Sequence, residues 1–365
     1  MDQTLKQAVP QSTWLVPGSA AFDFRGDVRT NPTVAMLNAI AHADLSDGVA
    51  TSDPSTHELE DYVANLTARP AALFVLSGTM GNLVALRSLL RQPPYAILCD
   101  SRSHILASEA GGAFAFTGAI PQPIEPENGE YLTLEDILPQ VVLPNDTTGT
   151  TTVHMCPTRV ISLENTLRGM VMPLAEARRI SNFAHENGIL VHLDGARLWE
   201  AVATGSRSLA EYCSLFDTVS LCFSKGLGAP AGAIVIGSEP VIRHARWIRQ
   251  SIGGSIRQPG PLSAAALVAV KMTFEAGLLK RSHEIAQDIA AYWQGCGGRL
   301  KHPTRSNMVW LDFTGLPFGL RELIDEGANR GVIISRDRLV VHYQICKEAV
   351  SILKQVMAGL TSRIL

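Results

Sequence analysis

Four polar clusters in this chain fall where short apolar runs stop, and their residue types define a chemistry. The run Thr218 to Phe223 ends in Ser224 and Lys225, followed by Gly226, Gly228 and Pro230. A lysine drawn into a low-dielectric pocket has a lowered pKa and becomes a nucleophilic amine; on a solvated loop it is only a charge. The run ILVHLD (189–194) ends in Asp194, with Arg197 three residues on. A carboxylate at such a place must be hydrogen-bonded or paired to stay charged. SGTMGN (77–82) joins an apolar run to a helical pattern through Ser77, Gly78 and Thr79. Its first-turn N–H groups can cradle an anion, or the hydroxyls can simply cap the helix. His104, in DSRSHILASEAGG (100–112), offers a flat ring that can stack on another or cap a turn.

Each cluster alone has an ordinary structural reading. Together they match the needs of pyridoxal 5′-phosphate (PLP). Its phosphate wants a helix start, its pyridine nitrogen a carboxylate, and its aldehyde a lysine amine. Ser77, Gly78 and Thr79, then Asp194, then Lys225 answer those needs in turn, and His104 can stack on the ring.

The elements that must position these groups alternate between strand-like and helix-like periods. ALFVLS (72–77), YAILCD (95–100), RVISLE (159–164), ILVHLD (189–194), TVSLCF (218–223) and AIVIG (233–237) read as strands. GTMGNLVALRSLLR and PLAEARRISNFAHENG read as helices between them. Short Val/Ile/Leu-rich runs separated by helices predict an α/β unit with a mainly parallel sheet covered on both faces. In such sheets ligands bind beyond the carboxyl ends of the strands, where all four clusters lie. Composition shifts at GGSIRQPGP (253–261), a long helical stretch follows to about 292, and NMVWLDF (307–313), GVIIS (331–335) and RLVVHYQI (338–345) read as strands of a smaller α+β unit. The expected organisation is an N-terminal segment (1–44), a large unit (45–260) and a small C-terminal unit (261–365), with LPNDTTGTTTVHMCPT (143–158) as a polar loop.

Composition excludes several classes. Hydrophobic residues make up 46% and charged ones 18%, a balance that suits a folded core rather than disorder. The net charge of −3 gives no basic footprint for nucleic acid. No run reaches the roughly 18 apolar residues of a membrane helix. The first twenty residues lack a basic start followed by a continuous apolar core, so no secretory leader is expected. Six scattered cysteines without C-x-x-C read as reduced, mostly buried thiols of a cytoplasmic protein, with no zinc site.

The order and spacing of these pieces resemble the threonine aldolase family of fold-type I PLP enzymes, most closely its fungal branch. The resemblance spans nearly the whole chain, from FDFRGDVRTNPT (22–33) to RLVVHYQI (338–345). Between them lie FVLSGTMGN, QPPYAILCD, the histidine of SRSHI, EAGG, VISLENT, HLDGAR, SKGLGAP and GGSIRQ. It implies an aspartate-aminotransferase-like fold in which Lys225 forms the Schiff base, Asp194 pairs with the pyridine nitrogen and His104 stacks on the ring. It further implies that Ser77, Gly78, Thr79 and Ser224 hold the phosphate, and that Arg257 reaches the phosphate of a neighbouring subunit. Arg197 and Arg338 would hold a substrate carboxylate, a task suited to bidentate guanidinium. Glu164 and Asn165 would line the site. The family works as homodimers or homotetramers with shared sites, acting on a small amino acid.

The chain also departs from the family pattern. The usual R-S-D is Arg25-Gly26-Asp27, with Gly26 where a serine stands near the substrate carboxylate. Ala50 replaces a tyrosine, Leu167 stands where a histidine is frequent, Gln250 replaces a lysine and Ser255 a glycine. Cofactor-side residues are kept and substrate-side residues altered. The expected activity is retro-aldol cleavage of L-threonine or L-allo-threonine to glycine and acetaldehyde. The alternative is amino-acid racemisation giving D-alanine, as in fungal relatives that supply it for peptide natural products. A non-catalytic relative is disfavoured by the joint presence of Lys225, Asp194, His104 and Arg338.

Overall fold

A computed structural model describes residues 18–50, 52–143, 153–203, 205 and 207–362. Residues 1–17, on which most of the leader expectation rests, and most of the 143–158 loop lie outside these.

The six strand-like runs of the large unit all form strands: β1 (Ala71–Val75), β2 (Ala96–Asp100), β4 (Thr158–Glu164), β5 (Leu190–Asp194), β6 (Thr218–Cys222) and β7 (Ala233–Gly237). A seventh, β3 (Ile120–Ile124), was not expected from IPQPI, because prolines remove ladder donors. It is tolerated at the sheet edge, where the flanking prolines turn their missing N–H away from β2 and the chain pairs in parallel register Ala96↔Ile120 to Asp100↔Ile124.

The sheet order is β1-β7-β6-β5-β4-β2-β3. β7 runs antiparallel to both β1 and β6, while the pairs β2–β3, β2–β4, β4–β5 and β5–β6 are parallel. β7 is therefore the single reversed strand. Every other strand ends on the same edge, so Ser77, His104, Glu164, Asp194 and Lys225 leave the sheet on one side. The helix Gly78–Leu89 lies across β5, β6 and β7, and its close approach depends on Gly81: a β-carbon there would come within 2.4 Å of Ser220 Oγ. Apart from the exposed edge strand β3, the sheet's strands are almost wholly buried, with Phe74, Ile97, Val191, Val219 and Ile234 inside apolar clusters on its faces.

A second sheet, β8 (Arg299–Leu300), β9 (Met308–Asp312) and β10 (Arg338–Val340), is antiparallel in the order β10-β9-β8. Its core gathers Trp293, Val309, Leu339, Leu353 and Met357, together with Phe24 from the start of the chain. The long stretch after 260 is two helices, Gly260–Ala269 and Leu278–Gly295, joined by a π-helical turn. The first half packs into the large core, and the second core begins at Ala286.

GVIIS (331–335) is not a strand, contrary to its pattern. Gly331 turns the chain out of a helix with φ +87°, and only Ile333 pairs, as a single bridge to Asp23. RLVVHYQI keeps ladder pairing only at Arg338–Val340. All six cysteines are unpaired. Among the described residues, no single helix is long and apolar enough to cross a membrane.

Candidate active site

The strand ends converge on a hydrogen-bonded network centred on Asn82. Asp194, 3% exposed, accepts from Asn82 Nδ2 at 2.7 Å and from the backbone N–H of Ala196 at 3.0 Å. Asn82 Nδ2 also donates to Glu109 Oε1 at 2.8 Å, and the same oxygen lies 2.8 Å from His104 Nδ1. On its other side, Asn82 Oδ1 receives His192 Nε2 at 3.2 Å. His192 is fully buried, and burial pushes its pKa down to about 4, so it is neutral. With Nε2 carrying the hydrogen, its Nδ1 accepts from Thr218 Oγ1 at 2.9 Å.

Glu164 stands beside Asp194 across the β4–β5 ladder. Its Oε2 accepts the backbone N–H of His104 at 2.8 Å. Burial first, then the Asp194 charge, push its pKa up to about 8, against the pull of Lys225 and Arg197. The folded chain thus keeps a proton that the unfolded chain releases above about 4.5. Stability of the cofactor-free protein therefore falls as pH rises from about 4.5 towards 8. Glu164→Gln removes that loss while keeping an acceptor for His104. Relative to the parent, its melting temperature should gain about 2–4 °C between pH 5 and pH 8.5. An equal difference at both pH values would contradict the assignment.

Arg197 is held by Asp27 in a fork, Nε to Oδ2 and Nη2 to Oδ1, both at 2.6 Å. Asp27 is fully buried, and its pKa is lowered to about 2: burial alone would raise it, but the guanidinium charge and hydrogen bonds outweigh burial. Arg338 lies on a cleft of about 320 Å³ shared by His104, Glu164, Leu167, Arg197 and Trp310. Its guanidinium sits over the Trp310 ring at 5.6 Å, and its buried Nε has no partner among the described residues.

Lys225 follows β6 after Phe223 and Ser224. Its carbonyl is fixed by Thr30 Oγ1 and the N–H of Gly228, both at 2.9 Å, and its ammonium acts on both Asp27 and Glu164. Glu200, paired with His283 at 2.8 Å, lies behind it, and a β-carbon at Gly226 would come within 2.4 Å of Glu200 Oε1. Ser77 is the N-cap of Gly78–Leu89 and accepts from Met80 N at 3.2 Å. Gly78 and Thr79 supply the other N–H groups of that first turn, which have no intrahelical acceptor. Ser224 Oγ is 3.3 Å from Cys222 Sγ beside this turn.

Three expected residues lie differently. Arg257 points to solvent, paired with Asp47 at 2.8 Å, although its loop reaches the helix start where Gly254 abuts Met80. Asn165 is buried with both ends of its amide on the backbone of Met172 (3.1 and 3.2 Å), so it braces the loop after β4 instead of facing the cleft. Gly26 has extended backbone, and an added β-carbon would meet only Val28 at 3.5 Å. The fold therefore does not demand glycine there.

Sequence reasoning missed the roles of Asn82, Glu109, Asp27 and His192. Glu109 carried the one available signal, a carboxylate inside the otherwise apolar and glycine-rich ASEAGGAFAF.

A donor set of buried carboxylate, strand-end lysine and open helix start fits PLP. The chain is 51% identical over 344 residues to "Aldolase vrtJ" of Penicillium aethiopicum, covering 94% of this chain and 87% of that protein. It is 45% identical to the "Probable low-specificity L-threonine aldolase" of Schizosaccharomyces pombe (93% and 88%) and 41% identical to "Alanine racemase TOXG" of Cochliobolus carbonum (96% and 90%). A solved Leishmania major threonine aldolase superposes with a TM-score of 0.77 at 23% identity over 93% of this chain and 99% of that one, which shows the shared fold. The beta-eliminating lyase model matches residues 23–314. With most of its length under that model and its strand-end residues gathered at one sheet edge, the chain belongs to the beta-eliminating lyase family.

Proposed function

We propose that this protein is a PLP-dependent aldolase that cleaves L-threonine or L-allo-threonine to glycine and acetaldehyde. The observation that carries the reading is the linkage of His104 to Asp194 through Glu109 and Asn82 at the edge where Lys225 emerges.

Lys225 would hold the cofactor's aldehyde, Asp194 its pyridine nitrogen, and Ser77, Gly78, Thr79 and Ser224 its phosphate. When bound, PLP supplies the electron sink for the pair released at Cα. His104, which would stack on the ring, is anchored through Nδ1 by Glu109, and its Nε2 would take the substrate's β-hydroxyl proton. Glu164, whose pKa is raised by burial and by the Asp194 charge, would favour its protonated form and so keep a second full negative charge away from Asp194. Arg338 would offer its guanidinium to the substrate carboxylate from the cleft wall, and Arg197, locked by Asp27, would present a fixed cation beside it. The orientation of the substrate decides which Cα bond breaks.

The racemase reading is favoured by one specific feature. Gly26 removes a hydroxyl from the substrate side with no steric reason for its loss. The 41% identity to an alanine racemase supports it, and the higher identities to aldolases favour the main reading. Purified, PLP-loaded protein should release acetaldehyde from L-threonine or L-allo-threonine and form little D-alanine from L-alanine. D-alanine without acetaldehyde would replace the aldolase with the racemase.

The proposal includes a large cofactor-binding unit and a smaller C-terminal unit, supported by their separate apolar cores, and cytoplasmic homodimers or homotetramers. Arg257, exposed and paired with Asp47, would reach a second copy's phosphate.

A further inference from the structure

The cleft holds more positive charge than one α-carboxylate requires. Besides Arg197 and Arg338, its wall contains Arg102, Arg168 and Arg336. Arg197 is neutralised by Asp27, and Arg102 by Asp100 at 2.8 Å. The other carboxylates on the wall are Glu164, which is fixed on the His104 backbone N–H and whose pKa is raised by burial and by Asp194, and Asp337, which is paired with Lys301 at 2.6 Å. Arg168 and Arg336 have no carboxylate partner among the described residues. Both act electrostatically on Arg338, whose pKa is lowered by burial and by the neighbouring guanidinium charges.

Arg168 is held in place at some cost. Its φ of +52° lies in the left-handed region, which is strained for a residue with a β-carbon. The turn is closed by Leu167 and Met170 exchanging backbone hydrogen bonds, and Trp310 Nε1 donates to Arg168 O at 3.0 Å. The same indole lies under Arg338. One tryptophan therefore fixes both walls of the cleft, with a guanidinium on each.

Resting on the aldolase reading, we propose that Arg168 and Arg336 form a second anion subsite that selects β-hydroxy amino acids whose side chain carries a carboxylate. With Arg338 on the α-carboxylate, the second carboxylate of 3-hydroxyaspartate would lie on the Arg168–Arg336 side. The reaction balances without a co-reactant. The β-hydroxyl loses its proton, the Cα–Cβ pair stays on Cα, and Cα takes up a proton, giving glycine and glyoxylate.

The test has a catalytic and a binding arm. In the first, kcat/KM for 3-hydroxyaspartate is compared with that for threonine, in the parent and in R168A/R336A. The parent should prefer the diacid, and the double variant should lower the diacid-to-threonine ratio about 10–100-fold, the loss expected for charge-assisted contacts. In the second, L-aspartate and L-alanine, neither with a β-hydroxyl to cleave, are titrated against the cofactor's visible absorbance. Aspartate should bind at least tenfold more tightly than alanine in the parent, and that margin should vanish in the double variant and partly return in R168K/R336K. Threonine cleavage with aspartate binding no better than alanine would overturn the subsite and leave the aldolase standing. An aspartate margin that depends on both arginines, without cleavage of either hydroxy acid, would sink the aldolase reading and keep the subsite.

Discussion

Replacing Lys225 by alanine is expected to abolish the visible absorbance of the bound cofactor and to lower turnover by more than about a thousandfold, roughly 4 kcal/mol of transition-state stabilisation. Two functions of the side chain must be separated. Its charge acts on Asp27 and Glu164, and its amine would join the cofactor's aldehyde. Lys225→Arg keeps the charge and removes the nucleophile. It should match alanine in absorbance and turnover while keeping a melting temperature closer to that of the parent. If the arginine variant retained substantial turnover, the lysine would be an electrostatic anchor and the nucleophilic amine would have to be sought elsewhere.

The largest expected loss of stability follows from Asp27→Ala. The Asp27 side chain is wholly buried and that of Arg197 is 18% exposed, so truncation leaves a guanidinium in a largely dry site. Removing one partner of a buried pair costs about 3–5 kcal/mol. For a chain of this size that corresponds to a fall in melting temperature of roughly 5–15 °C. Because Arg197 would lose its fixed orientation, KM for the amino acid should rise more than kcat falls. The pH dependence has a definite sign. The Asp27 carboxyl is lowered from 3.8 to about 2, so its contribution is complete above pH 4 and fades as pH drops through that window. Parent and variant should converge in acid. A constant difference down to pH 2 would mean that the loss is one of packing, not charge.

The sheet was legible because burial on both faces writes itself as uninterrupted apolar runs, and the four chemistry-bearing clusters follow from where those runs stop, whereas Glu164 entered through the family resemblance alone. β3 was hidden because Pro121 and Pro123 break the pattern that an edge strand can tolerate. GVIIS was overread because an apolar run says nothing of the partner it will find, and here it found one residue of the N-terminal segment. The links inside the site were not legible at all. Asn82 reaches Asp194 across 112 positions, and Arg197 reaches Asp27 across 170. A single sequence carries no periodicity at such separations. Asn165 shares a motif with Glu164, yet its amide nitrogen and oxygen are both bonded to the backbone of Met172.

The Asn82 amide has a consequence for how protons can travel. Both of its hydrogens are engaged, one by Asp194 and one by Glu109, and its oxygen is engaged by His192. An amide neither releases nor takes up a proton in the physiological range. His104 and Asp194 are therefore joined electrically but insulated protonically. A charge that appears on His104 is felt by Glu109 and, through the aligned dipole, by Asp194, yet the proton itself stops at Glu109. A proton exchanged at the His104 imidazole thus has no route through Asn82 to the Asp194 carboxylate, so the two ends of the network can run on separate proton inventories.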